Sequence, residues 1–307
     1  MTPAKASARK TTAKASARET TAAPARATAS DVAAGAGRLS VRKTYKLYIG
    51  GAFPRSESGR TFAATDAEGA FVANVARASR KDVRDAVVAA AKASAGWAAR
   101  TPYNRGQILY RAAEMMEARR SEFGLPLDEV DAAVDRFVWY AGWADKYAQV
   151  VGATNPVSGP YLNLSTPEPT GVVGVLAPAG APLLGLVSVI APVITTGNTC
   201  VVVATDPVAA ITLAEVLATS DLPGGVVNVL TGQVAELGSW LASHEEVRGI
   251  DLTGASADQA VEWEREAASN LKRVRRPEPE EDFTAEPPLS RMTTFVETKT
   301  VWHPTGL

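Results

Sequence analysis

The stretch GVVGVLAP, at residues 171–178, decides the fold because it is a continuous apolar run bounded by turn residues. Such a run is typical of a strand that is buried on both faces of a sheet. Beyond it, strand-like and helical segments alternate at short loop lengths, which predicts βαβ units on a parallel sheet. Ligands of such sheets bind at the carboxyl ends of the strands. Strands are predicted at 199–204, 226–230, 247–252 and 271–274, and helices at 183–194, 207–219, 234–243 and 257–270.

The chain upstream of this sheet is predicted to contribute two hairpins and three helices. The run KLYIGGAFPRSESGRTFAATD, at 46–66, alternates apolar and polar residues around two Gly-containing turn signals, Gly50-Gly51 and Ser58-Gly59, which favours a hairpin or a pair of short strands. Ser79 stands three residues before Asp82, a pattern close to a capping box at the start of a helix. Apolar spacing predicts further helices at 102–123 and 128–150, and the Gly- and Pro-rich stretch 152–170 predicts extended hairpin strands.

Residues 1–43 form a segment of a different kind. They hold nine basic and two acidic side chains, whereas the whole chain has a net charge of −1. With almost no large apolar residue, this segment buries too little surface to offset the entropy of ordering it. It also contains a duplication, AKASARKTT followed by AKASARETT. We predict a disordered basic tail rich in Ala, Lys and Thr. The alternatives are an arm that contacts nucleic acid or another polyanion and a transit peptide.

The composition excludes several classes of site. Cys200 is the single cysteine, and the chain has two histidines, His244 and His303, so neither a disulfide framework nor a cysteine-built metal cluster is expected. No apolar run is long enough to span a membrane. A lone cysteine without a secretory signal favours a cytoplasmic location. Cys200 itself lies in a β-branched stretch, where a cysteine behaves as a small apolar residue.

Seven motifs, in this order along the chain, resemble those of the aldehyde dehydrogenase superfamily. They are KLYIGGAFPRSESGRTF, TPYNRGQILYRAAEMMEARRSEF, EPTGVVGVLAP, TGNTCVVVATD, DLPGGVVNVLTG, SHEEVRGIDLTGA and MTTFVETKTVWHP. The resemblance implies an α/β fold with a Rossmann-like parallel sheet of the aldehyde dehydrogenase type. It divides the chain into a tail (1–43), a cofactor-domain fold (44–274) with an oligomerisation hairpin (150–170), an acidic Pro-rich linker (275–290) and a C-terminal oligomerisation strand (291–307).

The same resemblance implies that the catalytic groups are lost. In this family a cysteine nucleophile sits in a separate domain after the cofactor domain, and the linker 275–290 is too short to be that domain. Gly180 stands where the family has an asparagine that donates to the oxyanion. Pro277 stands near the position of the general base. The neighbouring Glu278, Glu280 and Glu281 are predicted to form a solvated loop. We therefore predict no catalytic residue and no metal site.

The resemblance implies a vestigial cofactor site at the carboxyl ends of the strands, one in which some of the family's binding groups are replaced. The family's ribose-binding lysine and glutamate correspond to Val203 and Asp206, and a valine cannot donate to a hydroxyl. In the phosphate-proximal loop, Thr253 and Gly254 are expected to present backbone N–H groups, with Ser256 compensating for Ala255. The candidate cofactor-binding residues are Pro178, Asp206, Thr253 and Gly254. We expect binding of NAD or NADP to be weakened and the protein to work without a cofactor.

Two main functions follow from the resemblance. The leading hypothesis is a pseudoenzyme subunit that associates with a full-length aldehyde dehydrogenase or with itself, because an exposed strand such as 295–301 calls for a partner chain. The alternative is an NAD(P)-dependent oxidoreductase that acts on aldehydes. A further alternative is an anchoring module, in which the basic tail binds a polyanion and the body recruits an enzyme.

Overall fold

The computed structural model describes residues 41–66, 68–279 and 281–306 of the chain. The predicted basic tail lies almost wholly outside these residues and stays a prediction. The strands are β1 Thr44–Tyr45, β2 Thr61–Thr65, β3 Phe71–Ala76, β4 Ala153–Asn155, β5 Tyr161–Pro169, β6 Val172–Leu176, β7 Thr199–Ala204, β8 Val227–Thr231, β9 Val247–Asp251, β10 Arg273–Arg275 and β11 Val296–Pro304. The helices are α1 Arg80–Ala98, α2 Pro102–Ala118, α3 Leu127–Trp143, α4 Tyr147–Val151, α5 Leu184–Thr195, α6 Pro207–Ala218, α7 Val234–Ser243, α8 Ala257–Ala267 and α9 Ser290–Thr293. Short 3-10 turns follow α2 and α8.

A five-stranded parallel sheet forms the centre of the fold, in the order β10-β9-β6-β7-β8. Every residue of β6, β7 and β8 is buried, as expected where helices cover both faces of a sheet. The chain starts in the middle at β6, builds outward through β7 and β8, and returns to the other side with β9 and β10. The strand order therefore reverses between β6 and β9, which is where α/β sheets of this kind bind ligands. The predicted α/β class and parallel sheet are confirmed.

Local capping signals define where several helices begin. The predicted signal at Ser79 is a full capping box, in which the Asp82 carboxylate accepts the Ser79 N–H at 2.8 Å. A second capping box joins Ser256 and Gln259 at the start of α8. The long helix predicted over 128–150 is interrupted, because α3 ends at Trp143 and the chain turns before α4.

The predicted N-terminal hairpin forms as a short hairpin around Gly50-Gly51. Ile49 and Ala52 exchange hydrogen bonds, and the Leu47 N–H donates to Pro54 O at 3.1 Å. Tyr48 pairs with Val229 of β8 on the other side of the same segment, and the later part of the run, β2, pairs with β3. The sequence run does not show the pairing with β8, which is non-local: Tyr48 satisfies the otherwise unpaired edge of the central sheet and buries its own side chain there.

The helices α1, α2 and α5 meet at a buried arginine. Arg105 is 4% exposed and donates from Nε to Thr195 O at 3.1 Å and from Nη1 to Arg100 O at 2.7 Å. These carbonyl oxygens lie at or just beyond the C-terminal ends of α5 and α1, where helix carbonyls lack partners of their own. Burial lowers the pKa of Arg105, and its hydrogen bonds join α2 to the C-terminal ends of α1 and α5.

The hairpin predicted within 152–170 is present as β4 and β5, and β11 pairs with β5 along nine residues. Of the predicted C-terminal strand, 296–304 is strand, whereas its start is the short helix α9. The role of this sheet in oligomerisation stays a prediction. Among the helices in the described part of the chain, none is both long enough and apolar enough to cross a membrane.

Candidate functional site

The four candidate cofactor residues lie at one edge of the central sheet. Because carboxyl ends of parallel strands meet at the same edge, the loops after β6, β7 and β9 come together there. Two hydrogen bonds join these loops: Thr205 Oγ1 donates to Pro178 O at 2.8 Å, and the Gly254 N–H donates to Leu176 O at 3.0 Å. Pro178 follows β6, Asp206 follows β7, and Thr253 and Gly254 follow β9.

The expectation that Thr253 and Gly254 present free backbone N–H groups is wrong. The Thr253 N–H donates to Asp251 Oδ1 at 2.9 Å, and the Gly254 N–H is taken by Leu176 O. Ser256, expected to compensate for Ala255, caps α8 instead through the Gln259 N–H. The N–H groups of Ala255 and Ser256 are also bonded within the protein, to Leu252 O and Gln259 Oε1. This loop therefore offers no N–H group at residues 253–256 to a phosphate.

Carboxylates occupy the neighbouring helix N-termini. Asp206 Oδ1 accepts the Val208 and Ala209 N–H groups at 3.0 and 2.9 Å, so this side chain is the N-cap of α6. Glu129 Oε1, from α3, accepts the Leu183 N–H at 2.9 Å at the start of α5. A helix N-terminus binds an anion through such N–H groups, and here the anion comes from the protein itself. The sequence signals the Asp206 cap locally, but no local pattern relates Glu129 to α5.

These contacts test whether the residues fit the dinucleotide that the resemblance implies. The side chain of Val203 is fully buried in β7 and has no donor. The loop N–H groups are consumed, and two carboxylates hold the helix starts that a phosphate would use. In this structure the candidate residues do not fit NAD or NADP in the expected way.

The single thiol is placed for packing and not for reaction. Cys200 lies in β7 and is 0% exposed. Burial raises the pKa of the thiol well above its ordinary value, so the thiolate is disfavoured. Gly180 carries no side-chain donor, and its φ of +92° suits a glycine in a turn. His244 sits after α7, where its Nδ1 accepts the Glu246 N–H at 3.2 Å. Within the described ranges, no group of three or more His, Cys, Asp or Glu side chains is arranged to hold a metal ion.

A buried ionic cluster closes the same edge of the sheet. Arg291 Nη1 donates to Asp251 Oδ2 at 3.2 Å, and its Nη2 pairs with Glu281. Arg275 Nη2 donates to Glu278 Oε1 at 2.6 Å and contacts Glu281 Oε1 at 3.4 Å. Burial raises the pKa of Asp251, and the charge of Arg291 opposes that shift. The predicted solvated loop is thus wrong for Glu281, which is 14% exposed at its side chain, whereas Glu278 is 57% exposed. Glu280 lies outside the described residues.

The comparisons with known proteins agree with this architecture. The model of the aldehyde dehydrogenase family matches residues 54–275, more than half of the chain. The chain belongs to the aldehyde dehydrogenase family. It is similar to DhaS of Bacillus subtilis (strain 168), with 34% identity over 249 residues that cover 75% of this chain and 50% of that protein. It is also similar to the cytosolic 10-formyltetrahydrofolate dehydrogenase of Mus musculus, with 31% identity over 77% of this chain and 28% of that protein.

Solved aldehyde dehydrogenase structures share the fold. The NAD+ complex of the aldehyde dehydrogenase from Bacillus cereus superposes with a TM-score of 0.71 and 29% identity, over 76% of this chain and 50% of that one. HpcC from Thermus thermophilus gives the same TM-score with 32% identity, over 76% of this chain and 47% of that one. The chain thus spans about half the length, or less, of these relatives.

Sequence reasoning missed a further buried arginine beside this edge. Arg136, in α3, donates from Nη2 to Phe283 O at 2.6 Å and to Ala285 O at 2.9 Å. The segment it holds lies beyond the residues that match the aldehyde dehydrogenase family. The hydroxyl of Tyr140, one turn along α3, is buried with no partner among the described residues. An isolated arginine in an apolar helix stripe gives no local signal of these backbone acceptors.

Proposed function

We propose that this protein is a non-catalytic member of the aldehyde dehydrogenase family, a pseudoenzyme subunit that associates with a full-length aldehyde dehydrogenase or with copies of itself. The observation that carries the proposal is the position of Cys200. It is the single cysteine of the chain, it is fully buried within a strand, and its pKa is raised. Nucleophilic attack on an aldehyde needs an accessible thiolate.

The connection after the sheet supports the same proposal. The family match ends at residue 275 and β11 begins at Val296, so only residues 276–295 separate the two. That interval carries one short helix and no strand among its described residues. It is too short to hold a second folded domain with a nucleophile of its own. We propose that the protein needs neither NAD nor NADP, and that it works in the cytoplasm, where a lone reduced thiol is ordinary.

The free edge of β11 favours a partner strand. The Thr170 N–H donates to Phe295 O, and the Thr305 N–H donates to Pro160 O. The backbone N–H and C=O groups of the odd-numbered residues of β11 therefore point toward β5. The backbone groups of Thr298 and Thr300 therefore point to the edge of the sheet that has no further strand in the described part of the chain. Unpaired edges of this kind are where proteins add a strand from another chain.

An exposed apolar face adjoins this edge. Leu162 and Leu164 of β5 lie on the same face as Val301 of β11, because cross-strand partners share a face. These side chains are 44%, 40% and 47% exposed. Burying them against another subunit would stabilise an assembly by removing apolar surface from water.

Catalysis is tested by measuring NADH and NADPH formation with a panel of aldehydes, for the purified protein and for Cys200→Ala. We expect no turnover above that of Cys200→Ala, because the buried thiol is not available as a nucleophile. Turnover that disappears in Cys200→Ala would overturn the proposal and establish the alternative, an NAD(P)-dependent oxidoreductase acting on aldehydes.

Association is tested by native mass spectrometry, alone and after co-expression with a full-length aldehyde dehydrogenase. Thr298→Pro removes an N–H from the free edge and leaves the bonds to β5 in place. Thr298→Val is the matched control, because it keeps that N–H. We expect the proline variant to lose the assembly and the valine variant to keep it. A wild-type protein that stays monomeric in both settings would contradict the partner proposal.

A further inference from the structure

Residues 276–290, the strap, run across the carboxyl edge of the sheet. Residue 280 lies outside the described residues. It leaves the end of β10, the outermost strand, and it returns through α9 to Arg291, which contacts Asp251 at the end of β9. We infer that the strap is a displaceable cover that occupies the ligand-facing edge of this sheet. The inference goes beyond the proposed function, because it concerns what any ligand or partner meets at this edge.

Ionic contacts hold the two ends of the strap. Arg275, the last residue of β10, is 7% exposed at its side chain and contacts Glu278 and Glu281 within the strap. Arg291, 3% exposed, joins Glu281 to Asp251. Arg275 therefore connects the strap carboxylates to the end of β10, and Arg291 connects Glu281 to the end of β9. Charge-assisted hydrogen bonds of this kind are among the stronger polar contacts in proteins.

The middle of the strap lies against α3 and the start of α5. The carbonyl oxygens of Phe283 and Ala285 accept hydrogen bonds from Arg136. The Phe283 ring packs on the core beside α5, where a Cβ placed on Gly185 would stand 3.7 Å from the ring and 2.7 Å from Pro178 Cγ. The ring and Pro178, one of the four candidate cofactor residues, thus both border Gly185 at the start of α5, so the strap covers this part of the edge.

The closed strap is held by a few contacts and leaves polar groups unsatisfied. Most of its described residues are exposed, and it contains no strand and no helix before α9. Three buried polar atoms beside it lack partners among the described residues: Arg275 Nε, Glu281 Oε2 and Tyr140 Oη. Such atoms lose their hydration when the strap closes and regain it when the strap opens. These features are typical of segments that open locally while the rest of a protein stays folded.

The inference is tested by cleavage with a glutamyl endopeptidase, with the cut after Glu281 mapped by mass spectrometry. Glu281 is nearly buried in its ion pairs, so this cut requires the strap to leave the edge. Phe283→Ala removes the apolar contact of the ring and its cation-π contact with Arg291 at 5.7 Å, but it keeps the ion pairs. Arg291→Met removes the ion pairs with Asp251 and Glu281. We expect each variant to be cut at this bond at least tenfold faster than the wild type. Arg276→Met is the control, because Arg276 is 73% exposed and pairs with Glu264 of α8.

A second measurement follows what the strap covers. Hydrogen exchange of residues 181–187, at the start of α5, should rise in Phe283→Ala and Arg291→Met and stay unchanged in Arg276→Met. Phe283→Ala carries the test if Arg291→Met fails to fold. Two results would overturn the inference. One is wild-type cleavage after Glu281 as fast as in a free peptide of residues 276–290. The other is faster cleavage in both variants without any change in exchange at 181–187.

Discussion

Gly254→Ala should destabilise the protein with no nucleotide present, because a glycine is a packing requirement at this position. A Cβ there would stand 2.6 Å from Ala177 C and 2.9 Å from Leu176 O, and it would be closer still to Ala177 O. All of these atoms belong to the backbone at the end of β6, so no side chain can rotate away. The Gly254 N–H also donates to Leu176 O at 3.0 Å, and the new side chain would push these two loops apart.

The magnitude follows from two contributions. Forcing a methyl group into a packed site costs about 1–3 kcal/mol, and losing one hydrogen bond costs about 0.5–1.5 kcal/mol. The free energy of unfolding should therefore fall by about 2–4 kcal/mol. In a protein of this size such a loss lowers the melting temperature by roughly 3–7 °C. Urea and thermal unfolding followed by circular dichroism, without nucleotide, measure both quantities.

Gly96→Ala, in α1, is the matched control for this substitution. No atom lies within 4 Å of a Cβ at Gly96, so alanine should stabilise the helix there by about 0.5–1 kcal/mol. The reasoning is refuted if Gly254→Ala unfolds within about 0.5 kcal/mol of the wild type, the scatter of ordinary surface substitutions. It is also refuted if the variant differs from the wild type only when NAD or NADP is added.

Three further predictions concern polar groups that are buried or half-buried. Arg105→Met should lower the free energy of unfolding by about 2–4 kcal/mol, because the carbonyl oxygens of Thr195 and Arg100 lose charge-assisted hydrogen bonds. Arg100→Met, which changes an exposed side chain, should alter the free energy of unfolding little, and urea denaturation compares the two variants. The Cys200 thiol should resist iodoacetamide at pH 8 in the folded protein and react fully in urea, because burial raises the pKa of the thiol. Mass spectrometry measures the labelling, and rapid labelling of the folded protein would contradict the buried position of Cys200. Burial lowers the pKa of His244 in the folded protein from its ordinary value of 6.5. Below pH 6.5 the unfolded chain therefore binds more protons than the folded protein, and the protein loses stability as the pH falls toward the pKa of His244 in the folded state. The fall in urea midpoint below pH 6.5 should be smaller in His244→Asn.

Much of the fold could be predicted because its signals are local. The buried strands β6 and β7 are continuous apolar runs, and such a run is enough to predict a strand that is buried on both faces. Ser79 and Asp82 carry the capping box within one turn of α1. The edge of the sheet that holds Pro178, Asp206, Thr253 and Gly254 also follows from sequence, because parallel topology alone brings strand ends together.

What occupies that edge was decided only by the tertiary structure. Glu129 reaches the start of α5 and Arg136 reaches the Phe283 carbonyl across separations of 54 and 147 residues. Arg291, which holds the inward-turned Glu281, also reaches Asp251, 40 residues away. The Gly254 N–H likewise bonds to Leu176 O rather than facing a ligand. Sequence patterns report which face of an element is apolar. They do not report which polar partner lies within 3 Å once separate elements have packed, because hydrogen bonds depend on distance and direction that only the assembled fold defines.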